Sequence, residues 1–180
     1  PTPHYRLVFG ESDELPGLIV DRYGEVAVGQ IATAGMAARK ADIEAAIRAV
    51  VAPQSLVWKN DTGARDLEQL PRQLLSGIAK IPDELTLDEG ELKFTVPLAT
   101  GQKTGWFYDQ HPNRARFRHY IKGQRVLDVF SYLGAWGVQA AVAGAREVLC
   151  LDDSVSALEH ARHNAALNNV AERVATLRGD

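Results

Sequence analysis

The sequence predicts an α/β protein, with a parallel, doubly wound sheet in its second part and a small α+β domain before it. Two observations carry this reading. From about Asp109 onward, strand-like and helix-like segments alternate at short intervals, which is the grammar of a βαβαβ unit. Before that point, short runs of β-formers are separated by Pro-Gly and Gly turns around one amphipathic helix, as in a mostly antiparallel sheet. The expected domains are residues 1–108 and 109–180.

Taken in order, residues 5–31 read as three short strands, YRLVFGE, LIVDRY and EVAVGQI, with Pro16-Gly17 and Gly24 as turn residues between them. Over residues 36–52, Ile43, Ile47, Val50 and Val51 recur at helical spacing and predict an amphipathic helix that Pro53 closes. SLVWKN returns to a strand, and the polar stretch 61–83 reads as loops with one short helix. Leu92, Phe94 and Val96 then alternate on one face, as in a half-buried strand. In the second part, HPNRARFRHYI reads as a helix with Pro112 in its first turn and Phe117, Tyr120 and Ile121 on one face. Strand RVLDVF, helix WGVQAAVAGA, strand EVLCLD, helix SALEHARHNAALNNV and strand VATLRGD follow, with Gly144 and Asn168-Asn169 ending the two helices.

Composition narrows the classes. Hydrophobic residues at 46% and charged residues at 24% are ordinary globular values and argue against global disorder. A net charge of −3 points neither to nor away from nucleic acid, so a local basic patch has to carry any such reading. The single cysteine leaves no intrachain disulfide and no multi-cysteine metal site, which suits a reducing cytoplasm. No apolar run reaches the ~20 residues of a membrane span, and PTPHYR has no signal-peptide core. An opening on Pro1 without Met reads as a fragment or a processed chain.

The stretch VLDVFSYLGAWG carries the functional expectation, because ligands of open parallel sheets bind outside the carboxyl ends of the strands. Gly134 and Gly137 would let backbone pass close to a ligand, and a helix N-terminus offers unpaired N–H groups; the plain alternative is a tight turn with no ligand. The dinucleotide fingerprint G-x-G-x-x-G is absent, and Trp136 would stand against the pyrophosphate position. A P-loop is absent too: in TGQKTG, Gln102 replaces the Gly required before Lys103-Thr104, and the upstream Gly is missing.

An acidic strand end remains. A carboxylate repels phosphate but pairs with ammonium, which favours S-adenosylmethionine, a nucleoside cofactor with an amino-acid tail and no phosphate. Asp128 is placed for the amine. Asp152 follows Gly134 by 18 residues, near the ~20-residue spacing at which an acid reaches a ribose hydroxyl. Asp180 ends the third strand, where it could accept from the adenine amine. Each acid alone reads as a helix cap, and Asp152, Asp153 and Ser154 are all good N-cap types. Three acids at successive strand ends are a stronger pattern than any one of them.

YRLVFGESDELPGLIVDRYGEVAVGQI, TGQKTGWFYDQHPNR, VLDVFSYLGAWGVQAAVAGA and LDDSVSALEHARHNAALNN together resemble the bacterial 23S rRNA cytosine-C5 methyltransferase family, over nearly the whole chain and in family order. The resemblance implies a class I methyltransferase fold, Rossmann-like, using S-adenosylmethionine, with a small central domain before it. It implies cofactor contacts at Asp128, Ser131, Tyr132, Gly134, Asp152, Ser154 and Asp180, with Lys103, Thr104 and Phe107 in a preceding segment that closes over the cofactor. Leu133 and Trp136 are bulkier than the family pattern at that turn. Family members also carry an RNA-binding PUA domain and a longer C-terminal half with the catalytic Cys. Neither lies in this sequence, so the chain is expected to be the central domain plus the cofactor-binding half of the catalytic domain, inactive by itself.

No catalytic residue is expected here. A C5 methyltransferase needs a thiolate to attack the pyrimidine, but Cys150 lies within the buried strand VLCLD, where a thiol is an inert hydrophobe. Residues 110–125 hold five bases and no acid; Arg114, Arg118 and Lys122 recur every four residues and are the candidate contacts to ribosomal RNA, or else a solvated surface face. His111 and His119 lack a third ligand, so no metal is expected. The alternatives are a methyltransferase for another RNA base or a small molecule, and a non-catalytic RNA-contacting scaffold. If RVLDVF is a central strand whose second neighbour is missing, its open edge invites self-association.

Overall fold

The computed structural model describes residues 3–78 and 82–179. The chain forms two compact units, Pro1–Leu85 with Pro97–Trp106, and Thr86–Val96 with Phe107–Asp180. The division falls at residue 106 rather than 108, and the segment Thr86–Val96 joins the second unit.

The first unit is a five-stranded sheet in the order β1-β2-β3-β4-β5. Its elements are β1 (His4–Phe9), β2 (Leu18–Tyr23), β3 (Val26–Ile31), α1 (Ala34–Ala38), α2 (Lys40–Val51), β4 (Ser55–Asn60), α3 (Ala64–Leu67) and β5 (Gln73–Ile78). Every neighbouring pair is antiparallel except β3 and β4, which run parallel across the α1–α2 connection. Thr33 caps α1, its hydroxyl accepting from the Met36 amide. Leu18, Val20, Ala27, Ile31, Ile47, Leu56 and Trp58 form the core, with Ile43 and Val51 packed against it. Val50 is 75% exposed, so it is not part of the apolar face expected of it. Ile43, Ile47 and Val51, four apart, make the buried ridge, and Val50 falls off that row. The polar stretch expected to be loop contains β5. This edge strand exposes Gln73 and Leu74, so its residues carry no apolar alternation to announce it.

In the second unit, β6 (Glu84–Glu89) and β7 (Leu92–Pro97) form a hairpin turned at Gly90. Leu87 and Glu89 on β6, and Leu92, Phe94 and Val96 on β7, are buried by strict alternation. Next come α4 (His111–Phe117), a 3-10 turn (Arg118–Tyr120), β8 (Arg125–Val129), α5 (Ala135–Val142), β9 (Glu147–Asp152), α6 (Val155–Leu167) and β10 (Val174–Arg178). The sheet is parallel in the order β10-β9-β8, with Asp128 opposite Cys150 and Cys150 opposite Thr176. Val138, Ala141, Leu158, Ala161 and Ala165 of α5 and α6 are buried, as are Val148 and Cys150. On the other face, Leu127 is 59% exposed and Val129 and Leu177 are also open. Among the described residues β8 is an edge strand. No helix among them is long and apolar enough to cross a membrane.

Candidate cofactor site

The loop from Phe130 to Gly134 joins β8 to α5, and its backbone is unusual. Phe130 (φ 58°), Tyr132 (φ 50°) and Gly134 (φ 76°) all lie in the left-handed region. Non-glycine residues adopt it at a cost of order 1–3 kcal/mol, and persist there only when their surroundings hold them. Here the holding groups are explicit. The Ser131 amide donates to the Leu151 carbonyl at 3.0 Å, and the Gly134 amide to the Ser131 carbonyl at 2.8 Å. The Tyr132 amide donates to Asp152 Oδ2 at 2.8 Å.

Asp152 is a clasp between two strand ends. Its Oδ1 accepts from the Ser154 amide at 3.0 Å, an Asx-type turn, while Oδ2 holds the β8 loop. The residue is 8% exposed. Each oxygen has one lone pair spent on backbone and a second that can accept from a ligand hydroxyl. Ser154 is the N-cap of α6, with its hydroxyl accepting from the Ala157 amide at 3.2 Å.

Asp128 turns under the start of α5, where Oδ2 accepts from the Gly137 amide at 2.9 Å. Burial pushes its carboxyl up to about 6; the nearby Asp152 charge adds to the rise and the Gly137 N–H opposes it. The approach depends on glycine. A Cβ on Gly137 would lie 2.5 Å from Cys150 Sγ and 3.2 Å from Asp128 Oδ2, and one on Gly134 would lie 2.9 Å from the Ala161 Cβ. Leu133 is buried beneath the loop. Trp136 meets Phe117 edge-on at 5.3 Å, so its bulk is spent on packing α4 against α5.

Phe107 stands edge-on to Tyr132, with ring centroids 5.9 Å apart. Phe107, Asp128, Ser131, Tyr132, Gly134, Asp152 and Ser154 therefore belong to one unit, grouped around the ends of β8 and β9. Lys103 and Thr104 belong to the other unit. Thr104 is fully buried and donates its hydroxyl to Asp21, itself buried and held by Arg6 at 2.8 Å. This corrects the expected cofactor contact, because its polar group is committed to the chain. Lys103 is exposed, in the left-handed region. Asp180 lies outside the described residues.

The basic segment also needs correction. Arg114 is 1% exposed and forms a two-pronged ion pair with Glu89, one prong at 2.6 Å, so it cannot meet a phosphate. The helix ends at Phe117, and the 3-10 turn that follows breaks the four-residue repeat. Arg118 is half-buried, whereas Lys122 is exposed together with Arg116 and His119. The buried partners of this segment, Glu89 and Gln139, have no counterpart in the sequence reading. The one available signal was an acid, Glu89, at an inward position of an alternating strand.

Cys150 is fully buried, 4.0 Å from Asp128 Oδ2. Burial, and then the Asp128 charge, push its thiol up to about 12, which opposes a thiolate at neutral pH. Among the described residues, no group of three or more His, Cys, Asp or Glu could hold a metal ion.

The donor set suits a nucleoside with hydroxyl and ammonium groups. Asp128 and Asp152 supply acceptors, and Arg178, at the end of β10, spends Nε on the Asp153 carbonyl at 3.1 Å. Ser131 Oγ is buried with no hydrogen bond of ordinary geometry, and its one polar neighbour of note is the Cys150 thiol, a weak partner. Ser76 Oγ and Thr176 Oγ1 are left over in the same way, so the Ser131 hydroxyl speaks for a ligand only through its place beside the Asp152 clasp.

A parallel βαβαβ unit with carboxylates at successive strand ends and a glycine-turned loop opening a helix defines a Rossmann-like, nucleoside-binding α/β domain. The chain belongs to the S-adenosylmethionine-dependent methyltransferase family, whose profile matches residues 66–179. It is 39% identical over 169 residues to the Ribosomal RNA large subunit methyltransferase I of Tolumonas auensis, which covers 92% of this chain and 42% of the relative. The chain thus spans less than half the length of that relative. A Streptococcus mutans protein described as an S-adenosylmethionine-dependent methyltransferase has a TM-score of 0.85 at 23% identity, covering 99% of this chain and 46% of that one. A methyltransferase complexed with SAH gives the same TM-score of 0.85 at 23% identity, covering 99% of this chain and 46% of its own. These likenesses establish the fold.

Proposed function

We propose that this chain is the cofactor-binding part of an S-adenosylmethionine-dependent methyltransferase acting on cytosine C5 of 23S ribosomal RNA. The observation that carries the cofactor reading is the Asp152 clasp beside the unsatisfied Ser131 hydroxyl. Asp152 would accept from the ribose hydroxyls through its remaining lone pairs, Asp128 would face the ammonium group, and Phe107 with Tyr132 would supply apolar wall. The bound cofactor supplies an electrophilic sulfonium methyl group. The ribosomal substrate rests on the relatives' name and on the exposed bases Arg116 and Lys122. The choice of C5 rests on the motif resemblance. The attacking nucleophile is not Cys150, and the chain alone is proposed to bind cofactor without transferring methyl groups to rRNA.

Calorimetry with S-adenosylhomocysteine tests the cofactor reading. Wild type binds, and Asp152→Ala loses at least about tenfold in affinity, the equivalent of one charge-assisted hydrogen bond. Unchanged affinity in a folded variant would remove Asp152 from the site. Labelled methyl transfer to unmodified rRNA by the purified chain, abolished by Cys150→Ser, would overturn the nucleophile assignment.

A further inference from the structure

The β6–β7 hairpin is tied to the cofactor loop by two separate clamps. Along β7, Asn164 of α6 and Asn168, the residue that caps that helix, read the strand edge as a neighbouring strand would. Asn168 accepts from the Lys93 amide at 3.0 Å and donates to the Lys93 carbonyl at 2.7 Å. Asn164 accepts from the Thr95 amide at 2.8 Å and donates to the Thr95 carbonyl at 3.3 Å. Each makes a further bond, but they differ in where it goes: Asn168 Nδ2 donates to the Asn164 carbonyl at 2.8 Å, within its own helix end, whereas Asn164 Nδ2 donates to the Leu133 carbonyl at 3.1 Å, inside the strained loop. Asn164 is fully buried, so every bond it makes is made away from water.

At the turn end of the hairpin, buried Glu89 accepts from Arg114 and from Gln139 of α5, and His111 Nδ1 stands 3.6 Å away. Arg114 then donates to the Phe107 carbonyl at 3.1 Å, and the Phe107 ring lies against Tyr132. One clamp therefore ends on the Leu133 peptide and the other on the aromatic partner of Tyr132.

We propose that the hairpin is a brace for the cofactor loop, with Asn164 and Arg114 as positioning residues that hold its two sides in the binding geometry. Neither residue is assigned a contact with the ligand. The inference rests on the cofactor reading above.

The two asparagines provide the test, because both dock β7 and only Asn164 reaches the loop. In the full chain, Asn168→Ala is expected to lower thermal stability while leaving S-adenosylhomocysteine affinity within about twofold. Asn164→Ser is expected to weaken affinity by about tenfold and to speed hydrogen exchange at the Gly134 and Val138 amides without ligand. Equal loss in both variants, or unchanged affinity and exchange in a folded Asn164→Ser, overturns the brace. If that variant does not fold, native-state exchange of wild type decides. The Thr95 and Gly134 amides should open together under mild denaturant, and independent opening overturns the brace. If wild type fails to bind S-adenosylhomocysteine, the cofactor reading falls, and ligand-free exchange still decides the brace.

Discussion

Asp128 shows how one residue serves both the fold and the chemistry. Its carboxylate accepts from the first turn of α5, where a negative charge is welcome, yet burial holds its carboxyl near 6 against an ordinary 3.8. Below about pH 4 the group is protonated in both folded and unfolded chains. As pH rises from there to about 6, the unfolded chain ionises first, so folding loses stability through that window. The cost is complete above it, at roughly 3 kcal/mol. Asp128→Asn keeps an oxygen for the Gly137 amide and removes the titration. Denaturant melts should show the variant gaining on wild type as pH rises from about 4 through about 6, by up to roughly that amount, and holding that gain above it. The same variant should bind S-adenosylhomocysteine more weakly if the carboxylate faces the ammonium. A stability difference that is flat with pH would mean the carboxyl is not held up by burial.

The segment around α4 marks where reading by element succeeds and where it fails. Its helical start at Pro112 and the packing role of Phe117 follow from local chemistry, and both are present. The side on which Arg114 lies does not, because its partner Glu89 is 25 residues away on a different element and leaves no periodic trace. The same holds for Asn164 and Thr95, 69 residues apart. Breaking a buried pair strands a charge, so Arg114→Ala is expected to cost ~3–5 kcal/mol. It should leave the salt dependence of RNA binding unchanged once the folded fraction is allowed for. Exposed Lys122→Ala should do the reverse, leaving stability unaltered and lowering the log–log salt slope by about 1. A lower slope for a folded Arg114 variant would return that residue to the RNA surface.

At the scale of the whole chain, the α/β class and the strand-end acids were legible because periodicity and register are local properties. Once RVLDVF and EVLCLD are strands of one parallel sheet, Asp128 and Asp152 are brought to the same end. The surface this sheet leaves bare was legible for the same reason. β8 has one neighbour among the described residues, and beyond it Leu127 and Val129 lie open, with Phe130 76% exposed at the strand's end. An edge of this kind offers unpaired N–H and C=O groups beside apolar side chains, a template for a further strand. The charges flanking it are of little help, since Arg125 is paired with Glu147 at 2.7 Å. The 180-residue chain is therefore expected to self-associate as its concentration rises. Val129→Lys, which puts a charge on the open face, should shift it toward monomer while leaving S-adenosylhomocysteine affinity within about twofold. Light scattering across a concentration series reads both forms. A wild-type chain that stays monodisperse and monomeric at high concentration would show that the edge is not a docking template.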